Sequence, residues 1–289
     1  MDEFRELLEL GPMRTRDALA AGIGASRLRR ADVAHPFRGV VADTGHDRIR
    51  AIAARLDDGQ FLSHTTAGRI WGMRMPSRIT DDEVHVSALV PHNAPRARGI
   101  VGHRLQERAV ESTLIHGIPV TTPGETWRHL STLLTLDELV VAGDALLARR
   151  RPLATPPELV RALARHAGAR GVRRLRAAHG WVRAGTDSAP ETRLRLLLVR
   201  AGLPEPEVNP TVVLRRFGAA HPDLAYRDAR VAIEYDGDHH RSDRRQFEHD
   251  ILRLESFARD DWRVIRVVAA HLRHPDALVL RVRAALARE

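Results

Sequence analysis

The sequence predicts an α+β chain of more than one domain, on three observations. At 289 residues, it has room for two or three domains of about 150 residues each. Its hydrophobic pattern changes along the chain: short helical segments first, an alternating middle, then an ordered α-β-β-β-α-β series that forms a small sheet flanked by helices. Its composition, 43% hydrophobic and 29% charged, is ordinary for a folded chain and excludes wholesale disorder. The expected layout is a winged helix-turn-helix at 1–45, a mixed α/β middle at 46–150, a basic helical linker at 151–187 and the α-β-β-β-α-β domain at 188–289.

The first forty residues read as three helices and a strand. Asp2–Leu10 is periodic and stops at Gly11-Pro12. Arg14–Ala21 ends at Gly22, Ser26–Ala31 carries Arg27, Arg29 and Arg30, and Phe37–Val41 reads as a strand. A helix, a glycine turn, a second helix and a strand able to form a wing make the helix-turn-helix outline, in which those three arginines would face phosphates or base edges. In the middle, Asp47–Leu56 and Ser63–Trp71 read as helices, with Ser63 placed to cap the second. Glu83–Ser87 alternates like a strand, and Gly99–Arg104 can pair with it. Thr122–Leu133 and Leu136–Leu147 follow as helices, the second with Asp144 among aliphatics. The histidines at 64, 85, 92, 103, 116 and 129 lack ligand spacing such as i, i+4 on one helix, and read as structural.

Pro152–Pro157 breaks the chain. Helices at Pro157–His166 and Val172–Val182 follow, and Arg183–Asp187 reads as a hinge. The series after it is helix 188–201, strands 207–215, 222–226 and 230–236, helix 243–260, strand 262–268 and a terminal helix at 274–288.

All 46 basic residues are arginine, and cysteine is absent. Schiff-base chemistry, a lysine-bearing phosphate loop, disulfides and zinc–thiolate sites are therefore excluded. The net charge of +9 is localised: Arg149–Arg183 holds ten arginines against Glu158 alone, and ten minus one is nine. Such a block, with Arg173, Arg174 and Arg176 on one helix, suits a polyanion as well as a solvated helical face. No apolar run approaches the roughly 18 residues of a membrane helix, and the charged start MDEFRELLEL is unlike a signal peptide. A cytoplasmic protein without a membrane partner is the expectation.

The segment that carries chemistry is HPDLAYRDARVAIEYDGDHH, residues 221–240. A turn at Arg227-Asp228-Ala229 makes a hairpin of its two halves. Alternation puts Val231, Ile233 and Tyr235 on one face, and Ala232, Glu234 and Asp236 on the other. Asp223 can lie across from these acids on the partner strand. Three converging carboxylates repel one another unless a cation offsets them, and oxygen-only ligands favour Mg²⁺ or Mn²⁺ over zinc. Gly237 permits a sharp exit that returns His239 and His240 to the same neighbourhood.

Asp223 followed by Glu234-Tyr235-Asp236 resembles the bipartite PD-(D/E)XK nuclease motif, with Pro222-Asp223 as its opening. More closely, residues 188–289 resemble the uncharacterised bacterial domain related to very-short-patch repair endonucleases. The carriers are Glu234-Tyr235-Asp236-Gly237-Asp238-His239-His240, Asp250-Ile251-Leu252-Arg253 and Trp262-Arg263-Val264-Ile265-Arg266. Residues 1–150 resemble, more loosely, antitoxin-like winged-helix proteins of type IV toxin–antitoxin (abortive infection) systems. Here the carriers are Arg38-Gly39-Val40, and Ser63-His64-Thr65-Thr66-Ala67 followed by Trp71-Gly72. Two departures stand out: Asp236 occupies the motif's lysine position, and Asp261 stands where a glycine usually precedes the late tryptophan.

The resemblance implies a restriction-endonuclease-like domain that hydrolyses phosphodiesters of DNA with Mg²⁺ (or Mn²⁺), in phage defence or repair. Asp223, Glu234 and the Tyr235 carbonyl would hold the metal, and Asp236 would complete that set or orient water. His239 or His240 would act as general base or protonate the leaving oxygen. Glu191 is either a further metal or water contact or part of a Ser188–Glu191 capping box. Asp250 and Arg253 would buttress the site, and Arg266 would contact phosphate. The expected partner is DNA, with a homodimer as an optional assembly. The alternative is an antitoxin-like DNA-binding regulator whose nuclease-like domain is inactive; RNA as substrate is a further option.

Overall fold

The computed structural model describes residues 3–80, 82–106, 110–165, 168–237 and 244–287. The chain is a mixed α/β protein that divides into two compact units, Met1–Leu133 and Leu134–Glu289. This division does not coincide with the boundaries at 150 and 187 expected from sequence. Among the described residues, no helix is long and apolar enough to cross a membrane.

The first unit opens with α1 (Glu3–Leu10), β1 (Met13–Arg14), α2 (Thr15–Ala20), α3 (Ala25–Leu28) and β2 (Val40–Val41). β1 and β2 pair antiparallel, Met13 opposite Val41. Gly22, at φ +85°, ends α2: its N–H reaches the Leu19 carbonyl, and the Ile23 N–H reaches that of Ala18. A left-handed glycine of this kind satisfies carbonyls that a helix end would leave bare. Phe4, Leu8, Ala18, Leu28, Val33 and Val41 bury the apolar stripe of this packet.

Next come α4 (Arg48–Ala53), β3 (Gln60–Leu62), α5 (His64–Ile70), β4 (Val84–Leu89), β5 (Ile100–Leu105), β6 (Ser112–Ile115), β7 (Ile118–Thr121) and α6 (Pro123–Leu130). Asp47 caps α4, its Oδ1 accepting from the Ile49 N–H at 2.7 Å. The strands form one mixed sheet in the order β5-β4-β3-β7-β6. β5 pairs with β4, in parallel, so the expected partnership of these two segments is present. Leu62, Val84, Val86 and Val120 pack on Ile52 and Phe37. Alternation sends His85 and Ser87 to the opposite sheet face, and the pairing of Ser87 with His103 brings His103 there too.

The second unit contains α7 (Leu136–Leu146), α8 (Pro156–Arg165), α9 (Val172–Trp181), α10 (Ala189–Arg200), β8 (Glu207–Val208), β9 (Val212–Leu214), β10 (Gly218–Ala220), β11 (Leu224–Tyr226), β12 (Val231–Tyr235), α11 (Arg244–Arg259), β13 (Arg263–Val267), α12 (Ala269–Arg273) and α13 (Asp276–Leu286). Its main sheet runs β13-β12-β11-β8, with β12 and β13 parallel and the other pairs antiparallel. The expected strand 207–215 is broken, because Asn209 takes φ +44° and Pro210 cannot donate to a ladder. Its second half pairs instead with β10 as a separate hairpin. The expected terminal helix is α13, with Pro275 at its N-cap position, and a short α12 precedes it that the sequence reading did not include.

Leu224, Tyr226, Val231, Ile233, Ile265 and Val267 face Leu194 and Leu198 of α10 and Leu278 and Val282 of α13. The other face packs Ala232 on Phe257 of α11, with Val212, Leu214 and Ala220 of the hairpin. The expected hinge at 183–187 is instead tied down. The Arg183 N–H donates to Asp144 Oδ1 at 2.7 Å, the Gly185 N–H donates to the Leu147 carbonyl at 2.9 Å, and Thr186 is buried. Asp144 also meets fully buried Arg195 at 3.1 Å, so the acid within α7 is a charged tie between helices.

Candidate functional site

The β11–β12 hairpin places the acids. Leu224 stands opposite Ile233, so the next position outward sets Asp223 beside Glu234 on the α11 face of the sheet. Asp223 Oδ2 accepts the Tyr235 N–H at 2.6 Å, while its carbonyl accepts the Asn209 N–H at 2.9 Å. Asp223 is thereby held at both its side chain and its backbone.

Glu234 and Asp236 each meet an arginine. Both Glu234 oxygens are taken by the Arg253 guanidinium of α11, with Nη2 to Oε2 at 2.9 Å, and Asp250 lies 3.6 Å from the same guanidinium. Asp236 is ion-paired with Arg266 of β13. Arg253 and Arg266 thus supply the cationic charge that the sequence argument assigned to a metal. Asp223, Glu234 and Asp236 do not gather their oxygens into a metal-ligand cluster. His239 and His240 lie outside the described residues.

Glu191 is buried at the start of α10. Its Oε2 accepts the Asp187 N–H at 2.9 Å and Asn209 Nδ2 at 2.7 Å, while its own N–H donates to Ser188 Oγ at 3.3 Å. The cap from Ser188 is present, but the carboxylate returns to Asp187 and crosses to the loop that also holds the Asp223 carbonyl. Glu191 therefore belongs electrostatically to the acid group. Burial, then the charge of Glu191, then that of Glu234 push the Asp223 carboxyl up to about 7, against the opposing Tyr235 N–H and Arg253.

The chemistry of this donor set, carboxylate oxygens alone, is of the kind a hard cation takes, although the oxygens are not gathered as they would be around an ion. Glu234 is committed to Arg253 through both of its oxygens.

The sequence-predicted DNA-contacting arginines divide by exposure. Arg27 is turned inward, donating to Asp32 at 2.8 and 3.1 Å and lying 5.0 Å over the Phe4 ring, whereas Arg29 and Arg30 are exposed. In α9, Arg173, Arg174 and Arg176 are exposed, with Arg174 donating to the Leu134 carbonyl at 2.9 Å.

The scattered histidines, read from sequence as structural for want of ligand spacing, include three that meet in space. His64, His85 and His103 bring one ring nitrogen each within 4.8 Å of the others, the sole such cluster of metal-ligating side chains among the described residues. His85 Nδ1 and His103 Nε2 are 2.9 Å apart; His64 stacks on His103 at 3.7 Å and on His129 at 4.7 Å. Ser63 does not cap α5: its Oγ meets His64 Nδ1 at 2.9 Å and Ser87 Oγ at 2.6 Å. His64 has φ +49°, a strained conformation for a residue with a side chain, costing on the order of 1–3 kcal/mol.

Burial, then the neighbouring His129, His103, His85 and Arg128, pull His64 well below the usual imidazole range. Burial, then His103 and Arg69, pull His85 down to about 4, and burial lowers His103 as well. Period-2 alternation already put His85 and Ser87 on one strand face. The parallel register of β4 and β5, which adds His103, has no local sequence signature.

The chain matches no family model and no curated protein. Among solved structures, a crystal structure of the RV2827C protein from Mycobacterium tuberculosis is similar to it, at 15% identity over 70% of this chain and 83% of that one, with a TM-score of 0.40.

Proposed function

We propose that the protein is a metal-dependent endonuclease acting on DNA, with a PD-(D/E)XK-like second unit and a winged-helix module at the start of the first. The observation that carries this reading is Asp223, fixed by the Tyr235 N–H at 2.6 Å and crowded by the charges of Glu191 and Glu234. Asp223, Glu234 and the Tyr235 carbonyl would hold Mg²⁺ or Mn²⁺, which when bound polarises a phosphoryl oxygen and lowers the pKa of a water. Arg253, released by Glu234, would turn its guanidinium toward the phosphate, and Arg266 would do the same from Asp236. Exposed Arg29, Arg30, Arg173 and Arg176 would grip the backbone of the duplex by charge. A cytoplasmic, DNA-bound protein, optionally dimeric, follows from that role.

A second reading, a DNA-binding regulator without cleavage, draws on the same ion pairs: two of the three acids are already neutralised by arginine. Plasmid nicking with Mg²⁺ separates the two. Under the first reading the wild type cleaves and Asp223→Ala abolishes cleavage. Retardation of DNA without cleavage by the wild type would overturn it in favour of the second.

A further inference from the structure

We propose that His64, His85 and His103 form a binding site for one transition-metal dication, with Zn²⁺ as the ion that the ligand set fits. The site lies in the first unit and uses none of the acids around Asp223, so it stands or falls apart from the nuclease reading.

Three observations support it. The ligands come from three separate elements, the start of α5, β4 and β5, and their nitrogens already lie within 4.8 Å of one another. Two imidazole nitrogens bound to tetrahedral zinc at about 2.0–2.1 Å stand about 3.3 Å apart. The His85–His103 pair, at 2.9 Å, therefore needs only a small opening to admit an ion. The rings lie 15–34° from parallel, so holding one ion requires them to turn about their Cβ–Cγ bonds, a broad two-fold torsion in histidine.

The second observation is orientation. Ser63 Oγ holds His64 Nδ1 and is itself held by Ser87, which leaves Nε2 as the ligand atom. A hydrogen bond on the non-ligating nitrogen is the usual way a metal-bound imidazole is aimed.

The third observation is charge and access. Imidazole nitrogens suit Zn²⁺, Cu²⁺ or Ni²⁺ but not Mg²⁺. Loading needs each ligand nitrogen free of its hydrogen: the ring that donates in the His85–His103 bond shifts its N–H to its other nitrogen, and His64 carries its N–H on Nδ1, toward Ser63 Oγ. Of the nearby cations, Arg128 is ion-paired with Glu125 and donates to His129 Nε2, and Arg69 lies beside His85. His103 is partly exposed, giving an entry path and a fourth position for water. Three protein ligands with one open position describe a reactive zinc more than a structural one.

The test uses the full chain, stripped with EDTA and titrated with Co²⁺. The expected result is one equivalent of Co²⁺ with the visible bands of tetrahedral coordination, displaced by one equivalent of Zn²⁺ and unaffected by Mg²⁺. His103→Gln should weaken binding by more than about tenfold, and Ser63→Ala by about tenfold through lost orientation. His116→Gln, at an exposed histidine outside the cluster, should bind like the wild type. If His103→Gln fails to fold, zinc-edge X-ray absorption of the wild type decides by counting imidazole ligands, three being expected. Substoichiometric binding, fewer than three imidazoles, or unchanged affinity in folded His103→Gln would overturn the proposal.

Discussion

The histidines of the first unit and the carboxylates of the second both crowd like groups into partly buried space. Around His64, burial and the mutual proximity of four rings remove the charge, and the remaining polarity is met by hydroxyls and ring-to-ring contacts. Around Asp223, the acids keep cationic partners: Arg253 takes Glu234 and Arg266 takes Asp236, while the Asp223 carboxyl accepts from the backbone N–H of Tyr235. Imidazole can shed its charge within reach of neutral pH, whereas paired carboxylates cannot without leaving an arginine bare. The acid cluster should therefore depend on single charge partners, and the histidine cluster on single hydrogen bonds.

Removing Arg253 tests the first dependence and has the largest expected effect on stability. The side chains of Glu234 and Arg253 are 13% and 21% exposed. Breaking a fully buried pair costs about 3–5 kcal/mol, and partial solvent access lowers the expectation for Arg253→Gln to about 2 kcal/mol. Urea denaturation in EDTA measures it, and Glu234→Gln added to Arg253→Gln should recover most of the loss. A neutral Arg253→Gln would mean that the acids tolerate their charge unaided, and the contrast between the clusters would disappear.

The acid cluster was the more legible of the two in the sequence. Alternation along 231–236 assigns Glu234 and Asp236 to one face and Val231 and Ile233 to the other, and the packed faces follow that division. Which partner each acid takes was not legible, because Arg253 and Arg266 reach the hairpin from a helix and a parallel strand that follow it in sequence. The histidine cluster was missed for the same reason at longer range: His64, His85 and His103 are each unremarkable in local pattern and meet only through sheet register. Helix positions were read well where a hydrophobic stripe was present. Ser63 was misread because a serine before a helix looks the same whether its hydroxyl turns to the helix N–H groups or inward. Asn209-Pro210 was a break that the residues did signal.

Ser63→Ala sharpens the other side of the comparison. It strips a partner from both His64 Nδ1 and Ser87 Oγ in a fully buried setting, and leaving such groups unsatisfied costs about 1–3 kcal/mol. The expected loss is about 1.5 kcal/mol, read by urea denaturation of the metal-free protein. Because Ser63 makes no cap bond to α5, Ser63→Gly should do no better than alanine, whereas at a helix cap glycine is nearly as good as serine. Recovery of stability with glycine would show that the hydroxyl serves the helix and not the histidines.

The smallest effect belongs to a pair with the same chemistry as Glu234–Arg253 but open to water. Arg200 grips Asp137 through both oxygens, at 2.5 and 2.7 Å, with side chains 40% and 50% exposed. Its hydrogen bonds hold the Asp137 carboxyl below the usual range, with burial opposing and the charge of Arg200 assisting. A carboxyl lowered on folding stabilises the protein above its unfolded pKa, and that contribution is lost as pH falls through the folded pKa. Asp137→Asn should accordingly cost about 0.5 kcal/mol at pH 7 in low salt, less in 1 M salt, and progressively less as the pH falls below about 4 toward the lowered folded pKa. Comparing wild type and variant by urea denaturation at pH 7 and pH 3 checks the sign directly. A penalty undiminished at pH 3 would trace to packing and not to charge, and one as large as that of Arg253→Gln would show that burial does not set the worth of these pairs.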